Sequence, residues 1–155
     1  MSDEKVVVTN RGFTCDEINF YVGKYLDKMY DAFEQKKLVG NQCPECEEVF
    51  FPPRKICGKC KITIPLEENW VDLSETGILK SYTATPYKIN ERGSRTGKKN
   101  KLLGLVQLDG TTNSGIVYRL LKMEPDEVEI GMKLKAVWTK NPKGEPMDIK
   151  GFTKA

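Results

Sequence analysis

Histidine does not occur anywhere in the 155-residue chain. Its absence excludes Ser-His-Asp and Cys-His catalysis and any reaction that uses a histidine general base. It also removes the histidine ligands on which most hydrolytic zinc sites depend, since such sites keep one coordination position open for water. The sequence therefore disfavours an enzyme that acts by one of these mechanisms.

Long apolar runs and an export signal are missing as well. No stretch of about eighteen apolar residues occurs, so the sequence predicts no transmembrane helix and no membrane partner. The first residues, Met1 to Lys5, are not a basic region followed by an apolar stretch, so no signal peptide is predicted. Together with the cysteine spacing described below, which is typical of reduced metal ligands, this predicts a cytoplasmic protein.

Neither sign of charge dominates the composition. The chain has 25 Lys and Arg residues against 22 Asp and Glu residues, a net charge of +3. An excess this small does not require a nucleic-acid partner. With 39% hydrophobic and 30% charged residues, the chain is expected to be globular, and its length allows one mid-sized domain or two small ones.

Four of the five cysteines form two C-x-x-C pairs within one short window, Cys43 with Cys46 and Cys57 with Cys60. Zinc prefers four ligands in a tetrahedron, and thiolates are among its preferred donors. The spacing predicts a closed, structural metal site in a zinc ribbon, with Zn²⁺ as the expected ion, whereas disulfides or unrelated buried thiols are the weaker alternatives. Four thiolates also suit iron, so the sequence leaves zinc and iron open.

A helix is predicted before the ribbon. The segment from Thr14 to Glu17 has the form of a capping box. Apolar residues then recur at intervals of three and four: Ile18, Tyr21, Val22, Tyr25, Leu26, Met29, Tyr30 and Phe33. This period predicts an amphipathic helix that ends at Gly40 and that Gly23 bends or splits. Its apolar face either packs on the chain's own domains or is presented to a partner protein.

From Trp70 onward the sequence is typical of short strands separated by turns. Five segments have the composition or alternation of strands: 77–85, 102–108, 114–121, 132–139 and 147–152. A short polar turn at 124–128 lies between the third and the fourth. Five strands with a helical turn in that place are the layout of an OB-fold, a small Greek-key barrel, and a generic β-sandwich is the alternative.

The predicted fold class is therefore α+β, mainly β. An N-terminal helical segment is expected over residues 1–39, a rubredoxin-like, four-cysteine zinc ribbon over 40–69, and a C-terminal five-stranded OB-fold barrel over 70–155.

A strongly basic segment, Tyr87 to Lys101, lies between the first two predicted barrel strands. It contains one acidic residue, Glu91, and these basic residues: Lys88, Arg92, Arg95, Lys98, Lys99 and Lys101. Its glycine, serine and asparagine residues predict a flexible loop. A solvated loop is the simplest interpretation. The functional hypothesis is a mobile clamp for phosphates, because the loop between the first two strands of an OB-fold flanks the ligand face.

The sequence resembles a family of zinc-ribbon/OB-fold proteins that are associated with acyl-CoA enzymes and were first classified as a domain of unknown function. The resemblance runs from about Tyr30 to the C-terminus. Its most specific part is Phe51-Pro52-Pro53-Arg54 between the cysteine pairs. The other matching parts are Leu38-Val39-Gly40, the two C-x-x-C pairs, Trp70, Gly77, Ser81-Tyr82-Thr83, Val106 to Gly110, and Ile130 to Leu134.

The resemblance implies an accessory subunit. Family members pair with thiolase-fold enzymes, and the archaeal ones are similar to the subunit that joins acetoacetyl-CoA thiolase to hydroxymethylglutaryl-CoA synthase. There the OB domain helps to hold coenzyme A while the partners catalyse, and the helices and ribbon serve as docking surface. For this chain it implies CoA or acyl-CoA as ligand. The candidate contacts, with Tyr82 in the pocket and the basic residues on phosphates, are Tyr82, Lys88, Arg92, Arg95, Lys98 and Lys99.

Two other functions are consistent with parts of the sequence. Ribbons and OB-folds also bind single-stranded nucleic acid, but the barrel offers few candidate stacking residues beyond some tyrosines. An enzyme with Cys15 as nucleophile and Asp109 or Asp126 as base is the third interpretation, and no further constellation supports it. We therefore predict a non-catalytic scaffold that binds acyl-CoA and no nucleic acid.

Overall fold

The computed structural model describes residues 21–85, 88–89, 95–96, 101–112 and 115–155. The fold is α+β and mainly β, as predicted. The helix is α1 (Lys24–Glu34), and two 3₁₀ turns lie at Pro125–Glu127 and Pro146–Asp148. The strands are β1 (Leu38–Gln42), β2 (Val49–Phe50), β3 (Trp70–Leu73), β4 (Thr76–Thr85), β5 (Lys88–Ile89), β6 (Arg95–Thr96), β7 (Lys101–Leu108), β8 (Ile116–Arg119), β9 (Lys133–Trp138) and β10 (Ile149–Lys154).

Five strands form the barrel in the order β10-β9-β4-β7-β8, and every neighbouring pair is antiparallel. The two ends of this sheet meet where Leu120 forms a parallel bridge with Phe152. There the N–H of Leu121 donates to the carbonyl of Phe152 at 2.7 Å. The five predicted strand segments and the predicted turn after the third correspond to these elements, which confirms the OB-fold prediction.

The interior of the barrel follows from the alternation of its strands. In β7 the residues Leu102, Gly104, Val106 and Leu108 are buried, and those between them are half-buried or exposed. A Cβ at Gly104 would lie 2.7 Å from side-chain atoms of both Leu79 and Leu120, so the glycine makes room for a core residue of β4 and for the core residue that follows β8.

Helix α1 belongs to the same core as the barrel. Met29 and Phe33 are almost fully buried and lie in one apolar cluster with residues of β4, β9 and β10. The Phe33 ring meets the Trp138 ring edge-on, with their centroids 5.4 Å apart. Residues 24–34 therefore bury their apolar face on the chain's own domains. No described helix is both long and apolar enough to cross a membrane.

The predicted end of the helix at Gly40 is wrong. Helix α1 begins after Gly23, which has a φ of 92°, and it ends at Glu34. Leu38 to Gln42 form a strand instead, and at Gly40 a Cβ would lie only 2.6 Å from the carbonyl oxygen of Phe50. Pairing with two strands therefore overrides the helical period of this segment. The predicted capping box at Thr14–Glu17 lies outside the described residues.

Strand β1 joins the ribbon to the segment that precedes the barrel. It pairs with β2 on one side and with β3 on the other, in the order β2-β1-β3. Trp70, which was expected to open the barrel domain, therefore starts a strand of the ribbon's sheet. The division into 1–39, 40–69 and 70–155 stays a prediction.

Part of the predicted flexible loop is a strand pair. β5 and β6 are antiparallel, with Lys88 opposite Thr96 and Ile89 opposite Arg95. These four residues therefore have strand conformation within the predicted loop, and two of them, Ile89 and Thr96, are β-branched and favour strands.

Candidate functional site

The first C-x-x-C pair is held by a tight backbone turn. The N–H of Cys43 donates to the carbonyl of Glu48, and the carbonyl of Cys43 accepts from the N–H of Glu47, both at 2.9 Å. Glu47 has a φ of 58°, a left-handed conformation that non-glycine residues rarely adopt. This conformation turns the chain back on itself, so Cys43 and Cys46 face the same point.

The second pair repeats this pattern. The N–H of Cys57 donates to the carbonyl of Ile62 at 3.0 Å, and its carbonyl accepts from the N–H of Lys61 at 2.9 Å. Lys61 has a φ of 59°, four residues after the first cysteine of its pair, as Glu47 is in the first turn. Sequence reasoning missed both left-handed positions, and only their common spacing from a cysteine could have indicated them.

The two turns bring the four predicted ligands together. All four Sγ atoms lie within 4.8 Å of one another, and Cys46 Sγ and Cys57 Sγ are 3.6 Å apart. A tetrahedral ion with Zn–S bonds of about 2.3 Å places its sulfurs about 3.8 Å apart. The four cysteines are therefore positioned to bind a metal ion: Cys43, Cys46, Cys57 and Cys60.

The electrostatics of the cluster fit a cation. Burial acts to raise the pKa of the Cys43 thiol, but hydrogen bonds with the backbone of Cys46 and Glu45 outweigh it and lower the pKa to about 7. The pKa of Cys60 is raised, chiefly by its hydrogen bond to Cys46 and by burial. Crowded thiols cannot all ionise by themselves, whereas a divalent ion stabilises every thiolate that it binds.

A buried amide secures the metal-binding segment to β1. Asn41 is fully buried. Its Nδ2 donates to the carbonyl of Arg54 at 2.6 Å, and its Oδ1 accepts from the N–H of Arg54 at 3.0 Å. The Arg54 guanidinium lies 5.2 Å from the centroid of the Phe50 ring. Sequence reasoning singled out Phe51-Pro52-Pro53-Arg54 and missed Asn41, because nothing local indicates a partner thirteen residues away.

The ribbon has a very small apolar core of its own. Its buried cluster consists of Phe50 and Ile64 together with Cys43 and Cys57, and it is separate from the core of the barrel and α1. A cluster of this size cannot fold a module alone, so metal binding supplies folding free energy. The site is therefore suited to a structural ion.

The residues predicted to contact CoA lie in different places, and the structure describes three of the six. Tyr82 on β4 is 38% exposed and borders a shallow groove of about 240 Å³ between β4, β7 and β8. Lys88 and Arg95 lie on the paired strands β5 and β6. Three lie outside the described residues: Arg92, Lys98 and Lys99.

A larger cavity of about 630 Å³ lies between the start of α1 and the ribbon. Its lining includes Val22, Tyr25, Pro53 and Leu66. Among the residues that the structure describes, none of those predicted to bind a metal or CoA lines this cavity.

The two residues considered as a catalytic base do not belong to the cysteine cluster or to the groove beside Tyr82. The Asp109 carboxylate accepts a hydrogen bond from the Thr76 hydroxyl and lies 3.2 Å from Lys133 Nζ, and these contacts, the Thr76 bond first, lower its pKa. A lowered pKa makes this carboxylate a weaker base. Asp126 lies in a 3₁₀ turn. Cys15 lies outside the described residues.

Two domain families match successive parts of the chain. The rubredoxin-like zinc ribbon domain of ChsH2 matches residues 31–63, and the C-terminal OB-fold domain of ChsH2 matches residues 70–139.

Two curated relatives are described as DUF35 domain-containing scaffold proteins. The relative from Methanocaldococcus jannaschii is 30% identical over 105 residues, which is 68% of this chain and 70% of the relative. The relative from Methanothermobacter thermautotrophicus is 27% identical over 107 residues, which is 69% of this chain and 75% of the relative.

Two solved structures have a similar fold. A protein of unknown function from the DUF35 family of Sulfolobus solfataricus gives a TM-score of 0.56 at 22% identity, over 72% of this chain and 75% of that one. A chain of the Ltp2-ChsH2(DUF35) aldolase gives a TM-score of 0.55 at 23% identity, over 81% of this chain and 89% of that one.

Proposed function

Since this chain belongs to the DUF35 family of zinc-ribbon/OB-fold scaffold proteins, we propose that it is a non-catalytic subunit that holds acyl-CoA for a thiolase-fold enzyme. The proposed partners are acetoacetyl-CoA thiolase and hydroxymethylglutaryl-CoA synthase. The observation that carries the proposal is a cluster of four thiols with no position left for a substrate, in a chain without histidine. Such a centre builds structure, so the chemistry belongs to a partner.

Zinc is the ion that we propose for the centre. The 3.6 Å between Cys46 Sγ and Cys57 Sγ is close to the spacing that Zn–S bonds give, and the buried Cys43 and Cys57 would shield a bound ion on their side. When bound, zinc supplies a cross-link between the two cysteine turns. Elemental analysis of the purified chain distinguishes it from iron, which the same ligands also suit.

The proposed CoA site combines the groove beside Tyr82 with the basic segment that follows β4. An apolar groove suits the pantetheine arm, and arginine pairs with phosphate through two hydrogen bonds. The hairpin of β5 and β6 continues from the end of β4, which supports a phosphate site next to the groove. The proposed contacts are Tyr82, Lys88, Arg92, Arg95, Lys98 and Lys99.

Calorimetric titration with acetoacetyl-CoA tests the ligand. Exchange of Arg92, Arg95 and Lys98 for alanine is expected to weaken binding about tenfold or more, because the loss of even one charge-assisted phosphate contact costs roughly 1.5–3 kcal/mol. The matched control removes the same charge elsewhere, from the exposed residues Lys37, Lys140 and Lys143, and leaves affinity unchanged. Equal affinities of the two triple variants would remove the basic segment from the CoA site.

Purification of the tagged chain from its native host at low salt tests the partner. Recovery of a thiolase-fold enzyme is the expected result. Recovery of RNA or ribosomal material without any acyl-CoA enzyme would contradict the scaffold function. It would favour nucleic-acid binding, whose affinity falls steeply with salt.

A further inference from the structure

The second half of β4 has a neighbouring strand on one side only. β9 pairs with Thr76–Ile78, and Leu79 exchanges hydrogen bonds with the loop at 131–132. β7 continues alongside β4 as far as Thr85, and β5 and β6 pair with each other. Within the described ranges, the edge Lys80–Thr85 therefore meets no strand. Alternate residues of this free edge direct their N–H and C=O groups away from β7.

In the part of the chain that the structure describes, the free edge lacks most of the features that protect sheet edges. Natural edges are interrupted by proline, charged residues or bulges, or they are covered by other elements. Here the bulge and the one charge fall at the beginning, at Lys80. The residues that follow, Ser81–Thr85, are exposed, uncharged and free of proline, and their tyrosine and threonines favour strands.

An apolar surface lies beside the free edge. Ser81 is opposite Leu105, and Leu105 is opposite Val117, so the three share one face of the sheet. This is the outer face, because Gly104 and Val106 are the buried neighbours. Val117 is 61% exposed and Leu105 is 37% exposed, and the 240 Å³ groove lies over them. Ser81 is small, so side chains of an added strand can reach Leu105 across it.

All charged residues in the five barrel strands are basic: Lys80, Lys101, Arg119, Lys133, Lys135, Lys150 and Lys154. Among them, Lys133 and Lys135 form ion pairs with acidic residues. Lys80 starts the free edge, Lys101 is opposite Thr85, and Arg119 is opposite Leu103. None of these three forms an ion pair with another described residue. A second copy of the chain would bring like charges together, whereas an acidic partner would be attracted.

We propose that the free edge of β4 receives an extended segment of a partner protein as an additional strand. Aliphatic side chains of that segment lie on Leu105 and Val117, and its acidic side chains pair with Lys80, Lys101 and Arg119. This mode supplies main-chain hydrogen bonds for affinity and side-chain pockets for specificity. The outer row of Leu103, Leu105 and Val117 is aliphatic, which disfavours a base-stacking platform for nucleic acid.

The first test titrates a peptide into the full-length, zinc-loaded, ¹⁵N-labelled chain. The probe is a short acetylated peptide of alternating valine and glutamate, compared with its valine–lysine counterpart. The expected result is slower amide exchange within 81–85, shifted signals at Leu105 and Val117, and binding of the lysine peptide that is about tenfold weaker or worse. Equal binding of both peptides, or signals shifted elsewhere, would overturn the proposal.

A variant and a modified peptide test separately the side-chain contacts on the outer face and the main-chain pairing at the free edge. Val117→Asn removes the apolar contact without adding a charge and is expected to weaken binding of the acidic peptide about tenfold. The control Ile130→Asn, at a side chain that is 68% exposed, leaves binding unchanged. A peptide methylated at alternate amides cannot pair as a strand and is expected to bind at least about tenfold more weakly to the unaltered chain. That comparison decides the question even if Val117→Asn disturbs the fold, and undiminished binding of the methylated peptide would refute strand addition.

A second copy of the chain and a nucleic acid are the alternative occupants of the free edge, and each gives a distinct result. Protection of the 81–85 amides from exchange that grows with protein concentration in the absence of peptide would indicate a second copy of the chain. Displacement of the peptide by a single-stranded oligonucleotide would indicate nucleic acid. Either result overturns the inference. The inference rests on the proposed scaffold function for the identity of the partner. The added strand would occupy the same groove as the pantetheine arm of the proposed CoA site, so the peptide is titrated without CoA, and its binding is measured independently of whether CoA binds.

Discussion

At the scale of single residues, Asn41 is, with Asp148, one of two buried polar residues in the described part of the chain. Its side chain satisfies both the N–H and the carbonyl of Arg54, and no solvent reaches it. Removing such a group leaves two backbone partners without a hydrogen bond in the interior. The two bonds also fix β1 to the segment between the cysteine pairs, so the residue acts on the metal centre through the backbone.

Asn41→Ala is therefore expected to lower the free energy of unfolding by about 2 kcal/mol or more, because two buried bonds are lost. Urea denaturation of the metal-loaded chain measures the change. The control is Gln42→Ala, the next residue, whose one side-chain bond to the Glu47 carbonyl is exposed. A loss for Asn41→Ala that is no larger than the loss for Gln42→Ala would contradict this role.

At the scale of elements, α1 is a structural part of the barrel. Phe33 is fully buried and meets Tyr30 at 5.6 Å and Trp138 at 5.4 Å, in edge-to-face contacts. On its other side the helix faces the ribbon: the Tyr25 hydroxyl donates to the carbonyl of Ile64, and Lys28 Nζ lies 4.8 Å from the centroid of the Trp70 ring. Deleting the helix would therefore expose apolar surface of both the barrel and the ribbon. For this reason the role of α1 in partner binding has to be examined with point variants.

Phe33→Ala is expected to destabilise the chain by about 3–5 kcal/mol, the usual cost of truncating a buried phenylalanine. Denaturation followed by tryptophan fluorescence gives the value, and Trp138, whose ring contacts Phe33, is one of the two tryptophans that contribute to the signal. Met147→Ala is the control, since its side chain is 72% exposed, and it should change stability by less than about 0.5 kcal/mol. A small effect of Phe33→Ala would mean that α1 does not belong to the barrel core.

At the scale of the whole molecule, two apolar clusters have different sources of stability. The larger cluster joins the barrel and α1, with Leu79, Leu134 and Phe152 fully buried. The smaller one consists of the cysteine turns with Phe50 and Ile64. Hydrophobic burial can hold the first, whereas the second is too small to fold alone and would depend on a metal ion bound by its cysteines.

Chelation of the metal is expected to unfold the ribbon and leave the barrel folded. Amide exchange at Cys43 and Cys57, whose N–H groups close the two turns, should accelerate about a hundredfold or more, while exchange at Val106 and Leu134 changes by less than about threefold. Hydrogen exchange with mass spectrometry measures both regions in one sample. Added zinc should restore the original rates.

Two variants serve as controls for chelation. Cys57→Ser should behave like the chelated protein, whereas Cys15→Ser, which lies outside the ligand set, should retain the metal and its exchange rates. Loss of protection at Val106 together with the ribbon would mean that the two clusters unfold as one unit.

The cysteines and the barrel strands could be predicted from the sequence, whereas the role of Asn41 could not, and the reason is physical. The four ligands are specified by local spacing, since two residues between cysteines suffice to direct both sulfurs to one point. The barrel strands could be recognised from alternation in segments such as Lys133–Trp138. The hydrogen bonds of Asn41 could not be recognised, because their partner Arg54 is thirteen residues away and the bonds form only when β1 lies beside that segment.

The sequence by itself determined the four cysteines that are positioned to bind a metal, the OB-fold strands and the absence of histidine chemistry, because each depends on residue types or short, fixed spacings. The tertiary structure decided where α1 ends, that β3 joins the sheet of the ribbon, and that β4 has a free edge beyond Leu79 within the described residues. These features depend on which distant strands pair and in which register. Local periodicity carries no information about such pairing, and so it predicted a longer helix than the fold allows.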